Sequence, residues 1–175
     1  MKIGAFIDAS NLNLSAIQHL GYGIDYNQLY KLCSLGSEKM VKALVYAVNM
    51  GGGFDQWIEV VSNCGFTVRR KEPHVRADGS RKADCDIMLT IGVVRYLPRV
   101  DWVVIGSGDG DFEPLIEFVH KCGKKVRVIA VPEGTHSAMR KQADEYVPIT
   151  KEHLFVPPHY VRRARESGRL RKENE

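Results

Sequence analysis

The strongest constraint in this sequence is the run Trp102-Val103-Val104-Ile105, which contains no polar side chain. A run that short and that apolar suits a strand covered on both faces, the environment of a parallel sheet. Lys2 to Ile7 is a second β-rich run, and Asp8 stands where that strand should end. Helical spacing follows at once: Leu12, Leu14, Ile17 and Leu20 recur at roughly helical intervals in a segment from Ser10 to Leu20, with Ser10 read as its N-cap. The alternation then repeats. A helix is expected at Tyr26 to Leu35, a strand at Lys42 to Val48, a helix at Phe54 to Asn63 and a short strand at Phe66 to Arg70. Lys71 to Arg81, with Pro73 and Asp78-Gly79, reads as a loop. A helix from about Asp84 to Tyr96 ends before Pro98. After the Trp102 strand come a helix at Phe112 to Lys121 closed by Gly123, a strand at Val126 to Val131, a helix at Ser137 to Gln142 and a short strand at Tyr146 to Ile149. Strands alternating with helices predict an α/β three-layer fold around a mostly parallel sheet.

The chain has 175 residues, 44% of them hydrophobic, enough for one core and one domain. We assign that domain to residues 1–158 and read 159–175 as a basic tail or helical arm. Val161 to Glu175 carries six Arg/Lys against three Glu, most of the net charge of +4, so the body is close to neutral. No apolar run nears the ~20 residues of a membrane-spanning helix. An acid at position 8 is too early for a secretory signal, so a cytoplasmic location is expected. Cys33, Cys64, Cys85 and Cys122 are scattered, without metal-ligand spacing, which argues against disulfides and structural zinc. The stretch Leu154 to Tyr160 has apolar residues that suit packing on the body or on a second subunit, which leaves a homodimer open.

Ligands of open parallel sheets bind beyond the carboxyl ends of the strands. Asp8-Ala9-Ser10-Asn11 follows the first strand, and Gly106-Ser107-Gly108-Asp109-Gly110-Asp111 follows the Trp102 strand. Asp84 and Asp86 open the helix after the basic loop. If the two strands are neighbours, several carboxylates converge, raise one another's pKa and oppose folding. A divalent cation relieves that conflict, and oxygen donors suit Mg²⁺ or Mn²⁺. Asp84 and Asp86 differ by about 200° on a helix, so Asp86 is favoured for the metal and Asp84 as N-cap or outer group. The glycines around Asp109 do not complete a dinucleotide-binding turn, because Asp111 stands at the third glycine position.

Four segments carry a resemblance: F-I-D-A-S-N-L at Phe6 to Leu12, K-A-D-C-D-I at Lys82 to Ile87, S-G-D-G-D-F at Ser107 to Phe112, and S-A-M-R-K-Q-A-D at Ser137 to Asp144. In order and spacing they resemble the NYN domain family of PIN-like nucleases, LabA-like branch, over about residues 1–150. The resemblance implies a Rossmann-like PIN fold, a metal-dependent acidic site and RNA as substrate. It implies that Asp8, Asp86, Asp109 and Asp111 face the metal and act in catalysis, with Asn11 and Ser107 as polar neighbours; Asp84 joins them in support from its place at the helix start. Some relatives place acids where this chain has Met88 and Gly92, so a second metal is not implied.

The expected activity is metal-dependent phosphodiester hydrolysis of RNA, most simply single-stranded, by a metal-activated water. Arg69, Arg70, Lys71, Arg76, Arg81 and Lys82, just before the acidic helix, are the candidate nucleic-acid contacts. Two other readings stand beside it. One is a catalytically weak nucleic-acid-binding or regulatory module that keeps the acidic pocket. The other is a phosphatase or small-nucleotide hydrolase, which needs no basic groove.

Overall fold

The computed structural model describes residues 1–49, 51–75, 81–82 and 84–155. Its elements in chain order are β1 (Lys2–Asp8), α1 (Ala9–Leu20), β2 (Gly23–Ile24), α2 (Tyr26–Cys33), β3 (Lys39–Val48), α3 (Phe54–Asn63), β4 (Thr67–Lys71), β5 (His74–Val75) and β6 (Arg81–Lys82). There follow α4 (Asp86–Tyr96), β7 (Trp102–Gly106), α5 (Glu113–Lys121), β8 (Lys125–Ala130), α6 (Ser137–Gln142), β9 (Glu145–Pro148) and β10 (Leu154–Phe155). The expected α/β architecture is present: six strands in the order β4-β3-β1-β7-β8-β9 form one sheet, parallel throughout. The tail from residue 159 lies outside the described residues.

The chain winds outward from β1 through β3 to β4, then crosses back by α4 to β7 and winds the other way. Right-handed crossovers therefore put α1 to α3 on one face of the sheet and α4 to α6 on the other. The central strands β1 and β7 are covered on both sides, which is why Ile3, Phe6, Ile7, Val103, Val104 and Ile105 are all fully buried. Among the described residues no helix is long and apolar enough to cross a membrane.

Several expected details change. Ser10 does not cap α1: Asp8 ends β1 in an extended conformation and accepts the N–H groups of Ser10 and Asn11 at 3.0 and 3.1 Å, so the helix begins at Ala9. Asp84 does not cap α4, whose N-cap is Cys85 without a side-chain bond. The expected loop holds a short antiparallel pairing of β5 with β6. Leu154 and Phe155 pair with β2 on the body of the same chain; two-residue strands lack the length to be seen in the sequence.

Helix α4 packs unusually close to the sheet at Gly92, where an added Cβ would collide with the Tyr46 hydroxyl of β3. Gly92→Ala should therefore lower unfolding free energy by about 1–3 kcal/mol through overpacking, although alanine favours a helix by about 1 kcal/mol. Urea denaturation checks this, and the double variant Gly92→Ala/Tyr46→Phe should recover part of the loss.

Candidate metal centre at the acidic sheet edge

The point where strand order reverses lies between β1 and β7, and both strands end there in acids. Their register pairs Ile7 with Gly106, so Asp8 and the loop after Gly106 leave the sheet side by side. The loop is built by local hydrogen bonds. The Asn11 Oδ1 accepts the Gly108 N–H at 2.9 Å, tying α1 to the loop. The fully buried Ser107 Oγ accepts the Asp109 N–H at 3.2 Å, and Asp109 Oδ1 accepts the Asp111 N–H at 3.0 Å. Gly108 lies flat against Gly134 of the loop after β8, where any Cβ would meet the Gly134 carbonyl. Its N–H and C=O are both used, by Asn11 and by the His136 N–H at 2.9 Å.

Helix α4 starts at this same edge and brings Asp86. Carboxylate oxygens of Asp86, Asp109 and Asp111 all lie within 4.8 Å of one another. Oxygens on a single octahedral Mg²⁺ stand roughly 3–4 Å apart, given Mg–O near 2.1 Å. Small side-chain rotations close the difference, and three hard anionic donors fit Mg²⁺ or Mn²⁺. Asp8 is buried behind this trio with Oδ1 already engaged by two N–H groups. Burial, with added repulsion from Asp86 and Asp109, pushes its carboxyl up to about 6. Asp86 is raised as well, by burial first and then by Asp84, Asp109 and Asp111, against a pull from Lys71.

The basic residues separate. Alternation along β4 sends Arg69 and Arg70 to opposite faces. Arg70 is held by Asp55 and Glu72 at 3.6 and 3.1 Å and is not a free cation facing the acids. The Lys71 Nζ donates to the Asp84 carbonyl oxygen at 2.6 Å and stands 3.9 Å from its carboxylate, so Asp84 anchors Lys71 instead of capping α4. Arg69 lines a cleft of about 260 Å³ beside α4 with Leu44, Tyr46, Met88, Ile91, Gly92, Arg95 and Tyr96. Met88 and Gly92 thus face this cleft, on a different flank of the helix from Asp86. Sequence reasoning missed Tyr46, Arg95 and Tyr96, whose convergence depends on how α4 crosses β3. Arg76 lies outside the described residues, as do the side chains of Arg81 and Lys82.

The sequence model of the NYN domain matches residues 2–150. The chain is 26% identical over 164 residues to the low amplitude and bright protein LabA of Synechococcus elongatus, an alignment covering 89% of this chain and 87% of that protein. It is 31% identical over 100 residues to an uncharacterized protein of Methanocaldococcus jannaschii, covering 56% of this chain and 38% of that longer protein. The crystal structure of a protein of unknown function from Vibrio parahaemolyticus superposes with a TM-score of 0.80 at 32% identity, covering 88% of this chain and 96% of that one.

The raised Asp8 carboxyl has a pH consequence. Between its ordinary value of 3.8 and about 6, the folded chain holds a proton at Asp8 that the unfolded chain has released. With divalent ions chelated, this stabilisation is complete below about pH 4 and is lost as pH rises through 6, by up to about 3 kcal/mol. Denaturation of the wild type and of Asp8→Asn from pH 4.5 to 7.5 checks it: the variant should gain stability relative to the wild type as pH rises.

Proposed function

The chain belongs to the NYN domain family, which implies nuclease-type function, and on that premise we propose that it hydrolyses phosphodiester bonds of single-stranded RNA at the acidic edge, with Mg²⁺ or Mn²⁺. The observation that carries this reading is the convergence of Asp86, Asp109 and Asp111 at the switch point of a parallel sheet. Asp86, Asp109 and Asp111 would hold the ion. When bound, such an ion polarises a phosphoryl oxygen and makes water a better nucleophile.

The remaining work belongs to the chain's own groups. Asn11 and Ser107 fix the loop through the Gly108 and Asp109 N–H groups, which holds the backbone that carries the Asp109 carboxylate. Asp111 is held by its N–H on Asp109. Asp8 supplies negative charge directly behind the trio, which strengthens attraction for a dication and disfavours a monovalent occupant. Phosphate must approach an edge of this sign, so cation binding has to come first or with it. The pairing of Lys71 with Asp84 keeps one cation close to Asp86.

Cleavage of labelled single-stranded RNA in Mn²⁺ or Mg²⁺ checks the proposal. Activity should vanish with EDTA and fall at least about a hundredfold in Asp109→Asn, since even outer-shell changes at metal sites cost up to about that factor. RNA binding without metal-dependent cleavage would instead identify a binding or regulatory module. Phosphate release from small esters alone would indicate a phosphatase.

A further inference from the structure

We propose that the cleft on the β3–β4 side of α4 is a subsite for single-stranded nucleic acid, taking a phosphodiester between Arg69 and Arg95 and the adjoining base against Tyr46, Tyr96, Met88 and Ile91. This rests on the nuclease reading for its substrate and extends it to residues outside the acidic edge.

The cleft exists because of the crossover. Helix α4 must return from the β4 edge to β7, and it packs over β1 and the near side of β3. The face of β4 on that side is left uncovered, and Arg69 stands exposed on it. Arg95, about two and a half turns along α4 from its start, lines the same opening as Arg69. Tyr46 forms the floor, drawn against the helix at Gly92. Burial pushes the Tyr46 hydroxyl up to about 12, while Arg69 and Arg95 both pull it down, which places both guanidinium charges near one phenol oxygen. Among the described residues, neither arginine pairs with a carboxylate and the Tyr46 hydroxyl has no hydrogen-bond partner. Arg70 and Arg127, by contrast, are each held by a glutamate.

Two unpaired guanidinium forks with a protonated hydroxyl form a donor set for phosphate. The apolar and aromatic wall offers a base a sequence-tolerant surface. The place also fits. Tyr46 is the register partner of Asp8, and Met88 is two residues along the helix from Asp86. From Met88 to Arg95 the cleft runs roughly 10 Å along α4, leading away from the acids. A polyanion repelled by the acidic edge gains its hold on this neighbouring positive wall.

The test uses the full chain carrying Asp109→Asn, in EDTA, with a fluorescent 12-residue single-stranded RNA followed by anisotropy. Arg69→Ala and Arg95→Ala should each weaken binding about tenfold, and each should reduce the salt dependence by about 0.7 in the log–log slope. Met88→Glu, which puts a negative charge in the cleft, should weaken binding similarly, while Lys31→Ala on the far face should not. Circular dichroism verifies that each variant is folded. Wild-type affinity and salt slope in both arginine variants, or an equal loss in Lys31→Ala, would overturn the subsite. Equal affinity for a mononucleotide and the 12-residue strand would overturn its assignment to a strand. The two readings separate on parallel cleavage assays with intact Asp109. Arginine-dependent binding without metal-dependent cleavage upholds the cleft and removes the nuclease; cleavage with unaffected binding does the reverse.

Discussion

Parallel pairing of β1 with β7 is the contact on which the acidic edge depends. It sets Ile7 beside Gly106, so the chain segments that follow, one from residue 8 and one a hundred residues later, emerge at the same height. Neither segment alone holds more than a turn and its acids. The pairing is stable because both strands are apolar and covered on both faces, so hydrophobic burial is what forces the carboxylates together.

That crowding is opposed by electrostatics, and among the described residues it is met by backbone N–H groups and by the Lys71 charge beside Asp84. Asp8 accepts two N–H groups and Asp109 accepts one. Asn11 and Ser107 spend their oxygens on the loop backbone. Lys71 donates to the Asp84 carbonyl and stands beside its carboxylate, and its charge pulls the Asp86 carboxyl back without cancelling the upward shift. An edge where the Asp8 and Asp86 carboxyls are raised by burial and by neighbouring acids retains a demand for positive charge. A divalent cation would meet that demand in the smallest space.

The positive groups are distributed by strand and helix geometry more than by sequence proximity. Arg69 and Arg70 are adjacent, yet one lines the cleft by α4 and the other pairs with acids on the outer face. Arg95 lies far from both in the chain and lines the same cleft as Arg69 because α4 runs alongside β3. The same crossover that brings Asp86 to the acidic edge therefore leaves a cleft lined by Arg69 and Arg95 on its other flank.

Much of this was legible in the residues. The apolar runs at Lys2–Ile7 and Trp102–Ile105, the intervening helical periodicities and the acids at the strand ends carry the parallel α/β architecture and the candidate aspartates, because burial on both faces and position after a strand leave marks in composition. Helix starts were less legible. Ser10 and Asp84 have the right chemistry for caps, but Asp8 and Cys85 hold those positions, since capping depends on where the strand before the helix stops. Which three carboxylates close on one point, which arginines are neutralised and where a cleft opens were decided only in three dimensions. Those properties depend on strand register and on the path of α4 across the sheet, and both follow from packing between segments that no local pattern encodes.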